Sequence, residues 1–513
     1  MRLHRDALAA LSGALLALSF PKFGHPIVAW VALVPLLVAV ADGDGRSAFR
    51  LGYVTGAVSA LGLLYWTSFV VVQYGGLSLP VGVVVMALLC AAVALFPSVF
   101  AWVVGRWVSA HGRRALLLAP VAWVATEILR VHTFFRFPWC LLGYSQQPNL
   151  PFIQIARYGA VYAVSFLVAG SSAALAYAVV EPRPRPRRTA LVVLGAVLAA
   201  VGLHGAWRLS RPPAEAGRLR VGLVQARILQ DEKWDAARAL DNMDEHVSLT
   251  RRAVESGARL VVWPESAVPY YYDETPLVSR ELKELVRAQG IHLLFGNDDR
   301  EESRDSVTRI YVGAKMLSPR GELTYRYHKM HLVPFGEYVP MQRLFTLGGR
   351  VTAKLVRQIA DFTPGGEVTL GEADGHRLGA FICYEAIFPE LVRRFTARGA
   401  GILVNITNDA WYGRTSAPYQ HMAMAAFRAV ENERYLVRAA NTGFTAVVDP
   451  CGRVLERTEL FERTILVRDV PIVAGTTFYA LHGDVFAWGC LGAALALTAT
   501  TIGKRRPRNV PSS

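Results

Sequence analysis

The chain has 513 residues, of which 53% are hydrophobic and only 19% are charged. This composition is too apolar for an ordinary soluble protein, and the length is too great for a single domain. The formal net charge of +15 is compatible with nucleic-acid binding, but the positions of the basic residues favour a membrane topology instead, so no nucleic-acid partner is expected.

Apolar runs recur along the first 206 residues. A helix that crosses a bilayer needs about 20 mostly apolar residues. Candidate spans lie near 6–21, 26–42, 51–70, 80–104, 115–130, 152–180 and 189–206, and one more lies near 486–502. The first run could instead be a signal peptide, but no small-residue cleavage site precedes Lys22 and apolar sequence resumes at once. We therefore predict about eight transmembrane helices.

Lysine and arginine are concentrated in alternate loops. They are frequent at the N-terminus, in the stretch EPRPRPRR at 181–188 and after the last apolar run. Cytoplasmic loops of membrane proteins are enriched in these residues, so both termini are predicted to be cytoplasmic. The predicted division is then 1–206 for seven transmembrane helices, 207–481 for a domain on the outer face, and 482–513 for the last span and a basic cytoplasmic tail.

The predicted outer domain alternates strand-like and helix-like runs. Strands are predicted at 219–228, 259–266, 291–298, 378–382 and 401–409, helices at 234–256, 388–395 and 417–439, and hairpins at 309–329 and 444–457. This alternation indicates an α/β layered domain. In such domains, functional sites form where the strands end.

Reactive side chains follow several of these strands. Glu265, Cys383 and the pair Asn408–Asp409 each come at a strand end, and Lys329 follows the first hairpin. A cysteine that attacks an acyl carbonyl needs a base for its proton, a cation, and donors aimed at the developing oxyanion. Glu265 can be the base and Lys329 the cation. This chemistry requires no metal or cofactor, and the five cysteines lack zinc-ligand spacing.

Each of these residues also has an ordinary structural explanation. Cys383 can be a small buried hydrophobe, the glutamate a solvated carboxylate or helix cap, and the lysine a surface residue. His328, His331 and His421 are available for a Cys–His pair instead. Ser266 is better explained as a turn hydroxyl than as a nucleophile.

The order glutamate, lysine, cysteine resembles the nitrilase superfamily, in which such a triad sits on an αββα sandwich. Longer motifs resemble the apolipoprotein N-acyltransferases. They are FPWCLLGYSQ at 137–146, WPESAVP at 263–269, KMHLVPFGEYVP at 329–340, CYEAIFPE at 383–390, NITNDAWYG at 405–413 and APYQH at 417–421. The resemblance covers nearly the whole chain. It implies a bundle of about eight transmembrane helices plus an extramembrane nitrilase-like αββα sandwich.

The resemblance also implies roles for individual residues. Cys383 would be the acylated nucleophile, Glu265 the general base and Lys329 the group that stabilises the oxyanion. The supporting residues would be Glu337, which helps to orient Lys329, together with Tyr384 and Glu385. The substrate-binding residues would be Trp234, Trp411 and Tyr412. Two places depart from the family pattern, and both lie outside the triad. One is QAR at 225–227, where the family often has Gln-x-Asn, and the other is Arg136 before FPW, where a glycine is common.

The implied reaction moves an acyl chain from a phospholipid, through a thioester, to the N-terminal diacylglyceryl-cysteine of an apolipoprotein. The enzyme would then be a multi-pass protein of the bacterial inner membrane with its catalytic domain on the periplasmic face. Two rival functions stay open. One is a membrane-anchored amidase that uses the same triad on a small amide or nitrile. The other is a transporter or scaffold, although the predicted spans hold few ionisable groups.

Overall fold

The computed structural model describes residues 2–42, 45–133, 136–233, 237–302, 308–338 and 362–502. The chain divides into two compact units. One consists of Met1–Arg211, Thr415–Phe427 and His482–Ser513, and the other of Pro212–Arg414 and Arg428–Leu481. They are called here the helical unit and the α/β unit.

The helices of the described ranges are numbered in chain order. They are α1 Arg2–Ala17, α2 Pro26–Ala32, α3 Val34–Val40, α4 Gly45–Leu64, α5 Trp66–Gln73, α6 Leu79–His111, α7 Ala119–His132, α8 Leu150–Ile153, α9 Ala156–Val180, α10 Pro184–Leu209, α11 Gln230–Lys233, α12 Ala239–Glu255, α13 Pro276–Gln289, α14 Pro389–Ala397, α15 Ala417–Asn432, α16 Phe478–His482 and α17 Val485–Ala499.

The helical unit contains long apolar helices where the sequence predicts spans. Among the described residues, five helical segments are long and apolar enough to cross a membrane: α4, α6, Arg113–His132, α9 and α10. The segments Pro26–Val40 and Val485–Ala499 are apolar but shorter. Apolar helices in the N-terminal part are therefore confirmed, whereas a total of about eight spans stays a prediction.

Helices α4 and α6 pack closely because α4 presents two glycines one turn apart. A Cβ at Gly52 would lie 2.3 Å from the Pro97 carbonyl oxygen, and one at Gly56 would lie 2.7 Å from the Ala94 Cα. Small residues at this spacing allow helix backbones to approach each other, which is how helices associate when lipid removes the hydrophobic driving force between them.

The α/β unit contains two six-stranded sheets. The strands are β1 Glu215–Gln225, β2 Leu260–Val262, β3 His292–Gly296, β4 Asp299–Glu302, β5 Thr308–Tyr311, β6 Gly313–Leu317, β7 Leu323–His328, β8 Gly371–Ala373, β9 His376–Ile382, β10 Ile402–Thr407, β11 Leu436–Ala440, β12 Ala446–Val448, β13 Val454–Arg457 and β14 Thr464–Val473. The first sheet has the order β14-β1-β2-β3-β6-β7 and the second β13-β12-β11-β10-β9-β8, while β4 and β5 form a separate pair.

The middle strands of each sheet are parallel and the outer ones antiparallel. β1, β2 and β3 run parallel in the first sheet, as do β9, β10 and β11 in the second. Their carboxyl ends therefore meet along one edge of each sheet, which is where the residues of a site can converge. The predicted hairpins are confirmed as β6–β7 and β12–β13.

Helices cover one face of each sheet. Val261 and Trp263 pack in the same core as Met243 of α12 and Leu282 of α13. Phe395 of α14 covers the second sheet so closely that a Cβ at Gly379 would lie 2.6 Å from its Cβ. The other faces meet each other.

A hydrogen bond joins the facing sides of the two sheets. The Tyr325 hydroxyl of β7 donates to the Ala380 carbonyl of β9 at 3.3 Å. The α/β fold with two sheets between helical layers is thus confirmed.

One predicted element is wrong. The sequence predicts a helix over 417–439, but α15 ends at Asn432 and residues 436–440 form β11. Glu433 has a φ of +53°, a left-handed conformation that breaks the helical path. The following residues then pair in parallel with β10, a long-range contact that overrides the helical preference of Leu, Arg and Ala in this segment.

Candidate active site

Three strand ends of the α/β unit carry the predicted catalytic side chains. Glu265 follows β2, Lys329 comes directly after β7, and Cys383 comes directly after β9. Cys383 begins a short 3-10 turn, Cys383–Ile387, with a φ of +47°. A non-glycine residue in this left-handed region is held by its surroundings at a cost, and such positions cluster at functional sites.

Lys329 bridges two carboxylates inside the protein. Its Nζ donates to Glu265 Oε1 at 3.0 Å and to Glu337 Oε1 at 2.6 Å, and the side chain is fully buried. Burial alone would lower the pKa of Lys329, but the charges of Glu265, Glu337 and Cys383 raise this pKa well above its usual value. Lys329 is therefore a permanent buried cation, as an oxyanion-stabilising group must be.

Glu337 is held in place by more than the lysine. Its Oε2 accepts the Val333 backbone N–H at 2.8 Å. Burial raises the pKa of Glu337, and the Lys329 charge opposes this rise. The carboxylate thus joins Lys329 to the Val333 backbone, which agrees with an orienting role.

Glu265 has both carboxylate oxygens engaged. Oε1 accepts from Lys329, and Oε2 accepts the backbone N–H of Asn408 at 3.0 Å. The side chain is only 6% exposed. Asn408 follows β10, so a third strand end orients the carboxylate; of the predicted pair Asn408–Asp409, the contact is made by the Asn408 backbone N–H.

The Cys383 thiol is buried between charged groups. Burial raises its pKa above the usual value, the charge of Glu265 raises it further, and Lys329 and a hydrogen bond with the Thr407 side chain lower it. The resting thiol is therefore neutral. Because the thiolate is the nucleophile, its proton has to pass to a base during attack.

Glu385 ties the lysine segment to the cysteine turn. Its Oε1 accepts from the Tyr327 hydroxyl at 2.8 Å, the Met330 N–H at 2.6 Å and the His331 N–H at 3.2 Å. Its Oε2 accepts the Ile382 N–H at 2.7 Å. Burial raises the pKa of Glu385 to about 7 against these donors. The residue fixes both segments that flank the reaction centre.

Replacing Glu385 by glutamine should destabilise the protein. The amide can accept through only one of its two ends, so at least one buried donor loses its acceptor, at a cost of about 1–3 kcal/mol. We expect a lower Tm in detergent, followed by tryptophan fluorescence. The matched control is Glu372→Gln, an exposed glutamate on β8, and equal Tm values for the two variants would contradict the tethering role.

The remaining predicted site residues differ in how far they are buried. Tyr384 is buried, with its ring edge-on to Phe388 at a centroid distance of 5.2 Å. Tyr412 is buried, and its pKa is raised well above the usual value by burial first and by the charge of Cys383 next. Trp411 is 38% exposed. Trp234 lies outside the described residues.

The rival explanations fit the geometry less well. His328 Nε2 is 2.7 Å from Asp299 Oδ2, and its ring stacks on Tyr311, so an acid partner other than the cysteine holds it. The His331 ring stacks on Phe388. Ser266 hydrogen-bonds Asp298 at 3.3 Å, as a turn hydroxyl would. This arrangement favours Glu265 over His328 or His331 as the base.

A second buried lysine, Lys233, also reaches the site; sequence reasoning did not select it, although it directly precedes Trp234, a predicted substrate-binding residue. Lys233 of α11 donates from Nζ to the backbone carbonyl of Glu265 at 2.8 Å. Only its burial distinguishes it from a surface lysine, and burial arises from tertiary contacts that a single sequence does not display.

Comparison with known proteins gives two family matches. Residues 12–175 match the family described as apolipoprotein N-acyltransferase N-terminal domain, and residues 220–477 match the carbon-nitrogen hydrolase family.

Individual relatives match over nearly their full length. An apolipoprotein N-acyltransferase of Geobacter metallireducens is 41% identical, over 98% of this chain and 96% of the relative. One of Methylococcus capsulatus is 35% identical, over 98% and 97%. Among solved structures, the NitN amidase from Nesterenkonia sp. AN1 is 24% identical over 49% of this chain and 93% of its own, with a TM-score of 0.38.

Proposed function

The chain belongs to the apolipoprotein N-acyltransferase family, and from that premise we propose that it N-acylates lipoproteins through a Cys383 thioester. The donor is a phospholipid, with phosphatidylethanolamine as the expected one. The acceptor is the α-amino group of an N-terminal diacylglyceryl-cysteine. The observation that supports this most directly is the Glu265–Lys329–Glu337 cluster, in which the charges of Glu265 and Lys329 act on the Cys383 thiol.

The first half-reaction forms the thioester. The Cys383 sulfur attacks the ester carbonyl carbon of the phospholipid while Glu265 takes the thiol proton. The negative oxygen of the tetrahedral intermediate is stabilised by the Lys329 ammonium. When the intermediate collapses, the bond between carbonyl carbon and glycerol oxygen breaks. Glu265 returns the proton to that oxygen, and a lysophospholipid leaves.

The second half-reaction transfers the acyl chain to nitrogen. The neutral α-amine of the acceptor attacks the thioester carbonyl, and Glu265 takes a proton from the attacking nitrogen. The carbon–sulfur bond then breaks and the proton passes to the departing sulfur. The products are the amide and the free Cys383 thiol, so the enzyme returns to its starting state.

Apolar helices and membership of this bacterial family indicate an inner-membrane protein. Both substrates carry acyl chains, and each buried CH₂ favours the membrane by about 0.8 kcal/mol. A catalytic domain attached to spans can therefore meet both substrates in the bilayer. In the proposed topology, residues 207–481 form the catalytic domain on the periplasmic face, with spans in 1–206 and 482–513 and both termini in the cytoplasm.

A transfer assay distinguishes this function from a membrane-anchored amidase. Purified enzyme is incubated with phosphatidylethanolamine carrying a labelled acyl chain and with a synthetic diacylglyceryl-cysteine peptide. We expect the label on the peptide nitrogen, measured by mass spectrometry, and none on a control peptide whose α-amine is acetylated. Release of the label only as free fatty acid, or no release from the phospholipid, would overturn the proposal.

A further inference from the structure

Lys233 lies on a segment that the α/β unit holds at several points. Asn441 accepts the Ile228 N–H at 2.9 Å and donates to the Ile228 carbonyl at 2.6 Å. The Asn408 amide donates to Gln230 Oε1, at the start of α11, at 2.8 Å. Since Asn408 also donates to Glu265, α11 is fixed relative to the carboxylate that it approaches.

The amine of Lys233 lies in the site rather than on the surface. The side chain is 6% exposed. It lines a small cavity together with Glu265, His246, Asn242 and Asn441. Its donation to the Glu265 carbonyl fixes the backbone from which the proposed base projects.

Titratable groups from five places in the α/β unit lie around this amine. They are Glu265 after β2, Asp298 between β3 and β4, Cys383 after β9, Lys329 after β7 and His246 on α12. Burial lowers the pKa of His246 to about 4, so this histidine is neutral. Burial raises the pKa of Asp298 to about 7.

The single positive charge of Lys329 does not neutralise the negative charge of the site, because Lys329 is shared between the carboxylates Glu265 and Glu337. When the thiol proton moves to Glu265, negative charge moves from that carboxylate to the sulfur. Lys233 interacts with both groups, so its positive charge is favourable before and after the transfer.

We propose that Lys233 is a positioning residue of the active site, which holds Glu265 through its backbone carbonyl and supplies a second positive charge beside Glu265 and Cys383. This inference rests on the proposed function and adds a residue to it. Burial lowers the pKa of Lys233 to about 8, although Glu265 and Asp298 oppose the shift. The positive charge is complete below this pH and is lost as the pH rises through it.

The test measures the rate of thioester formation on Cys383 against pH, with phosphatidylethanolamine in detergent micelles and no acceptor. The wild-type rate should decline as the pH rises through about 8. Lys233→Arg keeps its charge at these pH values, so the decline should move to higher pH. Lys233→Met should react more slowly at neutral pH, by on the order of 10²-fold for a misplaced base. Lys283→Met, on helix α13, is the matched control and should behave as wild type.

The possible outcomes distinguish a failure of the proposed function from a failure of the role inferred for Lys233. If wild-type enzyme forms no thioester, the proposed function fails. If it does, but its rate rises through pH 8 or Lys233→Arg has the wild-type profile, the inference fails. Equal rates for Lys233→Met and wild type would also overturn it. Should Lys233→Met not fold, as judged by its Tm, the comparison of wild type with Lys233→Arg still decides.

Discussion

Replacing Cys383 by alanine should abolish both thioester formation and acyl transfer. The nucleophile supplies the covalent step, and enzymes that lose theirs lose on the order of 10⁶-fold in turnover. The substitution removes one buried sulfur and leaves the donors of Glu385 in place, so the protein should still fold. The measurement is transfer of a labelled acyl chain from phosphatidylethanolamine to the diacylglyceryl-cysteine peptide.

The chain offers a matched control for this variant. Cys451 is a buried cysteine in the turn between β12 and β13. Cys451→Ala removes the same atom from the same unit, so its transfer rate should remain near that of wild type. Residual transfer by Cys383→Ala above a hundredth of the wild-type rate would exclude Cys383 as the nucleophile.

Replacing Glu265 by glutamine should slow thioester formation by roughly 10²- to 10⁴-fold, the range for loss of a general base. The amide has nearly the same shape as the carboxylate and can still accept one of the two hydrogen bonds. It cannot take the Cys383 proton. Because the resting thiol is neutral, no reactive thiolate exists to bypass the missing base. Single-turnover labelling of Cys383 measures this step without the acceptor.

The exposed Glu372→Gln variant serves as the control for general effects of charge removal. It should form the thioester at the wild-type rate. A Glu265→Gln rate within tenfold of wild type, with an unchanged Tm, would mean that another group removes the thiol proton. The alternative base would then be His328, whose ring is hydrogen-bonded to Asp299.

Much of the α/β unit follows from local sequence. Valine-, leucine- and isoleucine-rich runs identify β1, β3, β9 and β10 because such residues fit a buried pleated surface. Glu265 and Cys383 could be predicted because polar side chains at the ends of parallel strands lie along one edge of a sheet, whereas Lys329 follows the antiparallel hairpin β6–β7. Glu265 and Lys329, 64 positions apart, do meet at 3.0 Å.

The features that could not be predicted from the sequence depend on tertiary contacts. Residues 436–440 form strand β11 because they pair in parallel with β10, and no local sequence pattern predicts that pairing. Lys233 directly precedes the predicted Trp234, and Asp298 ends a predicted strand, but neither pattern predicts that the side chain is buried. Their altered pKa values arise from burial, which only the folded arrangement of α11, β2 and β3 creates.

Intact-protein mass spectrometry of enzyme incubated with phosphatidylethanolamine tests the central claim most directly. The account predicts a mass gain of one acyl chain that hydroxylamine removes, that maps to the peptide containing Cys383, and that Cys383→Ala lacks. A wild-type mass that never changes, or an acyl group that persists in Cys383→Ala, would contradict it.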